Sequence, residues 1–395
     1  MNYNFDHPID RRRSDSTKWR IYDEDVLPLW TADMDFRVPE PVVDALRARI
    51  EHGVFGYCVE PFELREVVAE RLARLYQWRV APDAILFQTG VLAGFQHVCR
   101  VAASPEDGVL VQPPVYQPIF AAPAHNGSFH QESPLVQRPD GTYEIDMDAF
   151  EAAVTDRTRV FILCNPHNPV GRVFRRDELE CLAAICIRRN VLICSDEIHC
   201  DLLFPGHRHI PIASLDAEVA RRSVTLMAPS KTFNVAGLRC SFAIVPDAAL
   251  RRRLAAESRD FAEVNNMGLV AALAAYRDGQ AWLDQVLAYL HANRDVVVDF
   301  VRRELQGIDM VAPEATYLAW MDCRRSGIPA NPQAFFLEHA RVALHDGAWF
   351  GTGGDGFVRL NFGCTRSTLV EALARMKAAL SRVEPGRPER ARRRN

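Results

Sequence analysis

Apolar positions recur along this chain with two different periods. Between residues 84 and 262, short apolar runs alternate with stretches whose apolar residues fall every three or four positions. The runs at 84–87, 108–112, 160–164, 191–194, 223–227 and 242–245 have the length and β-branched content of buried strands. The helical stretches lie at 92–101, 176–188 and 248–262. This βαβα succession predicts a mostly parallel sheet covered by helices on both faces. Upstream, Pro39 and Pro41 introduce a helix over 42–51 with Val42, Val43, Leu46 and Ile50 on one face, and 62–76 repeats the pattern. Downstream, helical patterns at 267–278 and 279–304 follow, the second long enough to bridge two lobes. The period then shortens: 315–321 and 357–362 alternate like antiparallel strands, with helices expected at 332–341 and 367–383. The expected organisation is a large α/β domain over 45–285 and a smaller α+β domain built from 1–44 and 286–383. An arginine-rich tail, 384–395, reads as disordered.

Composition narrows the function classes. With 395 residues the chain can bury a sizeable core, and 48% apolar residues are ordinary for a globular protein. A net charge of −4 gives no electrostatic case for nucleic acid or an anionic membrane. The ten cysteines are scattered, most in apolar runs, and form no CxxC pair, so reduced thiols are expected. The first residues are polar and acidic where a secretory signal would be basic and then apolar, and no window has the length of a membrane span. A cytoplasmic location is the expectation.

Candidate chemistry gathers around Lys231, in Ala-Pro-Ser-Lys-Thr-Phe-Asn directly after the 223–228 run. Lysine is scarce in a chain that favours arginine, and a lysine at the end of a buried strand is costly to keep charged. An amine used as a nucleophile, most often as a Schiff base, explains that cost. Asp196 ends another buried run, where a carboxylate would face a ligand and could hold a pyridine nitrogen protonated; its plain reading is a turn aspartate. Asn168, in Asn165-Pro-His-Asn-Pro-Val-Gly171, could donate to a phenolate oxygen. The turn Gln88-Thr-Gly-Val-Leu-Ala-Gly94 opens a helix whose free N–H groups suit a phosphate, with Arg239 as counter-charge. Tyr116 could stack on a flat cofactor. Arg359, on an otherwise apolar strand, needs an anion: either a substrate carboxylate or an internal salt bridge. His199, His207 and His209 lack the helical spacing of a zinc site, so no metal is expected.

These segments together (SDEIH, APSKTFN, GLR, NPHNPVGR and RLNFG) resemble fold-type I pyridoxal 5′-phosphate (PLP) enzymes of the class I/II aminotransferase superfamily. The stretches around Ile9-Asp-Arg-Arg, Asp15-Ser, Lys18-Trp19, LPLWTADMDF and HGVFGY are similar, more narrowly, to the MalY/PatB group of cystathionine β-lyases, or cysteine-S-conjugate β-lyases. The resemblance implies a PLP-dependent transferase-like large domain with a mostly parallel sheet between helices, plus the smaller α+β domain. It implies Lys231 as the covalent anchor and proton shuttle, Asp196 at the pyridine nitrogen, and Asn168 and His199 near the phenolic oxygen. Tyr116 would stack on the ring. Val91, Leu92, Ser230 and Arg239 would hold the phosphate, joined by Tyr57 from a second subunit of a homodimer. Arg359, with Asn168 and the backbone near Ala32, would take the carboxylate of a small amino-acid substrate. The implied activity is β-elimination of L-cystathionine or a related cysteine thioether. An aminotransferase of the same fold, or a regulatory binding protein retaining the scaffold, are the alternatives.

Overall fold

The computed structural model describes residues 2–259, 263–329 and 331–383. The expected helix end at 260–262 and the tail at 384–395 lie outside the described residues. A seven-stranded sheet carries the spatial order Ile85–Gln88, Ser241–Ile244, Ser223–Met227, Leu192–Asp196, Thr158–Cys164, Gly108–Val111, Phe129–Glu132. Neighbours are parallel from Ser223–Met227 outward to Phe129–Glu132, and Ser241–Ile244 runs antiparallel to both of its neighbours. Period two within each strand divides the core. Val160 and Ile162 pack with Phe95 and Val98 of the helix Val91–Ala102, whereas Phe161 and Leu163 pack with Leu179 and Leu182 of the helix Arg176–Arg188. The edge strand Phe129–Glu132 escapes apolar-run reasoning because its sequence, Phe-His-Gln-Glu, is half solvent-facing.

A second sheet, Leu318–Asp322, Phe357–Asn361 and His345–Asp346, is antiparallel throughout. The N-terminal segment joins this part of the molecule: Leu27–Pro28 pairs in parallel with Val342–Ala343. The 25-residue helix Gln280–Glu304 follows the last helix of the large sheet's cover. Two expectations change. The helix expected at 332–341 is one α turn, Pro332–Phe335, followed by a π turn, Phe336–Ala340, ended by Arg341 at φ 54°. Apolar spacing marked the buried Phe336 and Ala340 but carries no information on winding. In the helix Glu40–His52, Val42 is buried but Ile50 is 58% exposed, so the four apolar residues do not form one covered face. Among the described residues no helix is long and apolar enough to cross a membrane.

Candidate active site

The strand Ser223–Met227 stops short of Lys231. Ala228 is extended, Pro229 opens a single helical turn, Pro229–Thr232, and Lys231 stands on that turn beyond the strand's carboxyl end. Thr232 fixes the turn by donating to Asp201 Oδ2 at 3.0 Å, and the buried Arg71 holds Asp201 at 2.8 Å. Lys231 is partly exposed, and its Nζ donates to the Ala32 carbonyl at 2.6 Å. Tyr317 Oη donates to the same carbonyl at 3.0 Å. Desolvation lowers the Lys231 amine to about 8; the Asp33 charge resists, Arg359 adds to the fall, and Asp196 resists weakly.

Topology brings the other candidates to the same edge. Because Ser241–Ile244 is antiparallel, its first residue lies level with Gln88, the last of its neighbour, and Ser241 Oγ donates to the Gln88 carbonyl at 3.1 Å. The starts of the helix Val91–Ala102, Arg239, Ser230 and Lys231 therefore share one rim with Asp196 and the Asn165–Asn168 loop. This is the rim where open α/β sheets bind ligands. The first N–H groups of Val91–Ala102 have no intrahelical acceptor. Gly94 lets that helix approach: a Cβ there would stand 2.8 Å from Leu226 and from Gln88 Oε1. Arg239 is exposed in the left-handed region at φ 50°, a conformation that side-chain-bearing residues seldom adopt outside constrained sites.

Asp196, only 4% exposed, accepts from the Ile198 N–H at 3.1 Å, so the plain turn reading is also correct. Among the described residues no basic side chain pairs with it. Burial pushes its carboxyl up to about 7 against the Ile198 hydrogen bond and the Lys231 charge, with Glu197 adding to the rise. Glu197 itself is committed elsewhere, to Ser195 at 2.8 Å and His209 at 2.7 Å. His199 is buried edge-on to the Tyr317 ring at 6.2 Å, and its Nδ1 has no partner. Desolvation, then the Lys231 and Arg359 charges, push it down to about 3, which leaves it neutral. Tyr116 donates its backbone N–H to the Asn168 carbonyl at 3.0 Å, and its ring meets Trp349 edge-on at 5.7 Å. Burial raises the Tyr116 phenol, Arg359 pulls the other way, and Asp196 adds to the rise.

For Arg359 the sequence left two readings, a substrate carboxylate or an internal salt bridge. It is 2% exposed and makes no ion pair among the described residues. Nη1 donates to Asn168 Oδ1 at 2.9 Å, Nη2 donates to the Trp30 carbonyl at 2.8 Å, and Nε is unpartnered. Desolvation lowers the guanidinium to about 10 even though Tyr116 and Tyr317 pull upward. The internal salt bridge is therefore not seen among the described residues, and a buried guanidinium without an anion has the geometry to accept a carboxylate. The carbonyls at Trp30 and Ala32 belong to one turn, and sequence reasoning missed what fixes that turn. Lys18 reaches Asp35 at 2.8 Å and Asp33 at 3.5 Å, Arg11 reaches Asp35 at 2.6 Å and Asp33 at 2.7 Å, and Trp19 Nε1 donates to Asp35 at 2.8 Å. Asn361 donates to the Asp33 carbonyl at 2.7 Å, and Asn234 donates to the Met34 and Phe36 carbonyls. Part of the signal was present: five of these residues, Arg11, Lys18, Trp19, Asp33 and Asp35, sit in the N-terminal motifs. Thr316, β-branched at φ 72°, delivers Tyr317. Tyr57 stands apart, fully exposed on this chain.

Comparison with known proteins agrees with this geometry. The family model described as aminotransferase class I and II matches residues 24–376. Cystathionine beta-lyase PatB of Bacillus subtilis is 40% identical over 96% of this chain and 100% of its own length. The crystal structure of OvoB superposes with a TM-score of 0.92 at 44% identity, over 96% of this chain and all of that one. The PLP-bound C–S lyase of Staphylococcus hominis gives 0.91 at 33% identity, over 96% and 98%. A match over most of the length, to a family model and to full-length relatives alike, establishes that this chain belongs to the aminotransferase class I and II family.

Proposed function

We infer that this protein is a PLP-dependent carbon–sulfur β-lyase that cleaves L-cystathionine or a related cysteine thioether to thiol, pyruvate and ammonia. One observation carries the reading: the N-terminal turn, whose motifs mark the lyase group, reaches both Lys231 and Arg359 through its backbone. Full-length likeness to a cystathionine β-lyase supports it.

The residues suit the cofactor. Among the described residues Asp196 is buried with no ion-pair partner and His199 Nδ1 has no hydrogen bond, and the exposed Arg239 shares the rim with Ser230 and the open N–H groups of Val91 and Leu92. Asp196 would hold the pyridine nitrogen protonated, Tyr116 would cover the ring, and Asn168 and His199 would border its phenolic oxygen. When bound, PLP supplies an electron sink for charge developing at the substrate α-carbon. Arg359 binds the substrate carboxylate, and the Asn168 and Trp30 contacts fix the direction of its guanidinium. Lys231 Nζ takes the proton from Cα, and a lysine brought to about 8 is deprotonated often enough near neutral pH to act as that base. The thiolate then departs from Cβ. The departing thiolate takes up a proton, and water supplies the oxygen of pyruvate and the proton of its methyl group as ammonia is released; transamination would instead need the Cα proton returned by Lys231 to a carbon of the cofactor.

A homodimer completes the proposal. Ile50, Val54, Phe55, Tyr57, Val59 and Phe62 form an exposed apolar run that a second copy would cover, bringing its Tyr57 to the phosphate. The amino-acid substrate is the only other partner required. Ten free cysteines suit a reducing cytoplasm. The test is product analysis: purified holoenzyme incubated with L-cystathionine should release pyruvate, ammonia and thiol without an added keto acid. Product formed only when an amino acceptor is supplied would overturn the lyase reading in favour of transamination.

A further inference from the structure

Lys18 is a second lysine near the site, buried where Lys231 is partly exposed, and the chemistry above gives it no part. Only three lysines occur in the chain, at 18, 231 and 377. The side chain of Lys18 is completely buried, and all of its polar partners belong to one stretch: the Asp33 carbonyl at 3.1 Å, Asp33 Oδ1 at 3.5 Å and Asp35 Oδ2 at 2.8 Å. Arg11 closes the other side of the same two carboxylates and also donates to the Met34 carbonyl at 3.2 Å. Trp30 Nε1 donates to the Lys18 carbonyl at 3.3 Å, so the knot holds both ends of the Trp30–Asp35 stretch. Between those ends lie the two carbonyls that meet the site, Trp30 on Arg359 and Ala32 on Lys231.

An ionic cluster buried to this extent is a poor route to stability, because desolving four charges offsets most of their attraction. Fixing a geometry is its better-attested use. A simple tether for the N-terminal segment already exists in the Arg341 pairs with Asp23 and Asp25, which touch no part of the turn. We propose that Lys18 is a positioning residue: acting through Asp33 and Asp35, it sets where the Trp30 and Ala32 carbonyls stand, and so aims Arg359 at the substrate carboxylate. The proposal rests on the carboxylate-binding role of Arg359 given above.

The experiment compares wild-type holoenzyme with Lys18→Met, Lys18→Arg, Asp35→Asn and Arg341→Met. Two readouts are taken: the dissociation constant of L-alanine, followed through the visible cofactor band, and KM against kcat for L-cystathionine. Lys18→Met is expected to weaken L-alanine and raise KM about tenfold, the scale of one hydrogen bond to a charged group, with a smaller change in kcat. Lys18→Arg should recover most of this loss by restoring the charge, and Arg341→Met should bind within about twofold of wild type, as for an exposed pair. Asp35→Asn, which keeps the side-chain shape, should lie between, and it decides the matter if Lys18→Met does not fold. Unchanged L-alanine binding in Lys18→Met, or in Asp35→Asn where the former is insoluble, would overturn the proposal whatever happens to the melting temperature. Wild-type enzyme that binds L-alanine but releases no pyruvate from any thioether would instead sink the lyase reading and leave the positioning role measurable.

Discussion

Two lysines approach neighbouring carbonyls of one turn and meet opposite surroundings. Lys18 Nζ donates to the Asp33 carbonyl with carboxylates at 2.8 and 3.5 Å, while Lys231 Nζ donates to the Ala32 carbonyl with no carboxylate in contact among the described residues. The difference separates structure from chemistry. An ammonium enclosed by anions is committed to its partners and holds them in place. An ammonium desolvated without a paired anion is brought to about 8 and becomes a base. Asp33 stands between them. Burial would raise its carboxyl, but the charges of Lys18 and Arg11 hold it below the ordinary value, with a smaller pull from Lys231. One anion thus serves the knot directly and the reactive amine at a distance.

The sharpest way to break this contrast is to remove each amine. Lys231→Ala is expected to lower pyruvate release by about 10³-fold or more, the scale of a positioned general base, and to abolish the visible cofactor band. Lys231→Arg should be equally inactive, because a guanidinium keeps its proton. If Lys18→Met matched that loss in kcat, the two lysines would not differ in kind. The next largest effect belongs to the group between the two regions. Arg359→Met should lower kcat/KM roughly a hundredfold, chiefly through KM, since it removes a charge-assisted pair with the substrate carboxylate. A fall confined to kcat would show that Arg359 acts on the reaction and not on binding.

Asp196 extends the contrast to a buried acid without its cation. Its carboxyl rises from an ordinary value near 4 to about 7, so the folded chain keeps a proton there that the unfolded chain has lost. Stability of the cofactor-free protein therefore falls as pH climbs through that window, and the penalty is complete above about 7. Asp196→Asn removes the penalty. Its cofactor-free form should melt above wild type at pH 8 and alongside it at pH 4, the difference being on the order of a few kcal/mol. Lys231 acts at the alkaline end: its lowered amine costs stability below about 8 and relieves that cost as pH rises toward its ordinary value. Equal melting of the two proteins at pH 8 would mean that Asp196 already has a cationic partner.

Much of this was legible in the sequence, for unequal reasons. Strands buried on both faces announce themselves as apolar runs, so Thr158–Cys164 and Ser223–Met227 were placed to within two residues. The candidate residues drew notice where their type was costly in context: Lys231, Asp196 and Arg359 each follow or interrupt an apolar run. The polar edge strand Phe129–Glu132 and the π turn Phe336–Ala340 carried no such mark. The ionic knot was visible only as a set of motifs, because charges at 11, 18, 33 and 35 read as solvated until the chain's return brings them together. Tyr317 had no sequence signal at all, being one aromatic residue in the bend just before the buried strand Leu318–Asp322.

Tyr317 provides the finest test of the contrast, because it shares the Ala32 carbonyl with Lys231. Its hydroxyl is pushed up by burial, with the Asp33 charge adding to the rise and Arg359 opposing it, so it remains a neutral donor at any working pH. Tyr317→Phe removes one neutral hydrogen bond and leaves the ring against His199, which predicts a loss of about 1 kcal/mol in stability. The carbonyl then has Lys231 as its sole donor in this pair. A stronger acceptor favours the charged amine, so the ascending, acid-side limb of the kcat–pH profile governed by Lys231 should move upward by a few tenths of a unit. The same measurement on Trp19→Phe, which loses a hydrogen bond to a carboxylate inside the knot, should lower the melting temperature at least as much without moving that limb. If both variants move it equally, the turn transmits charge as readily as position, and the division between the two lysines is one of degree.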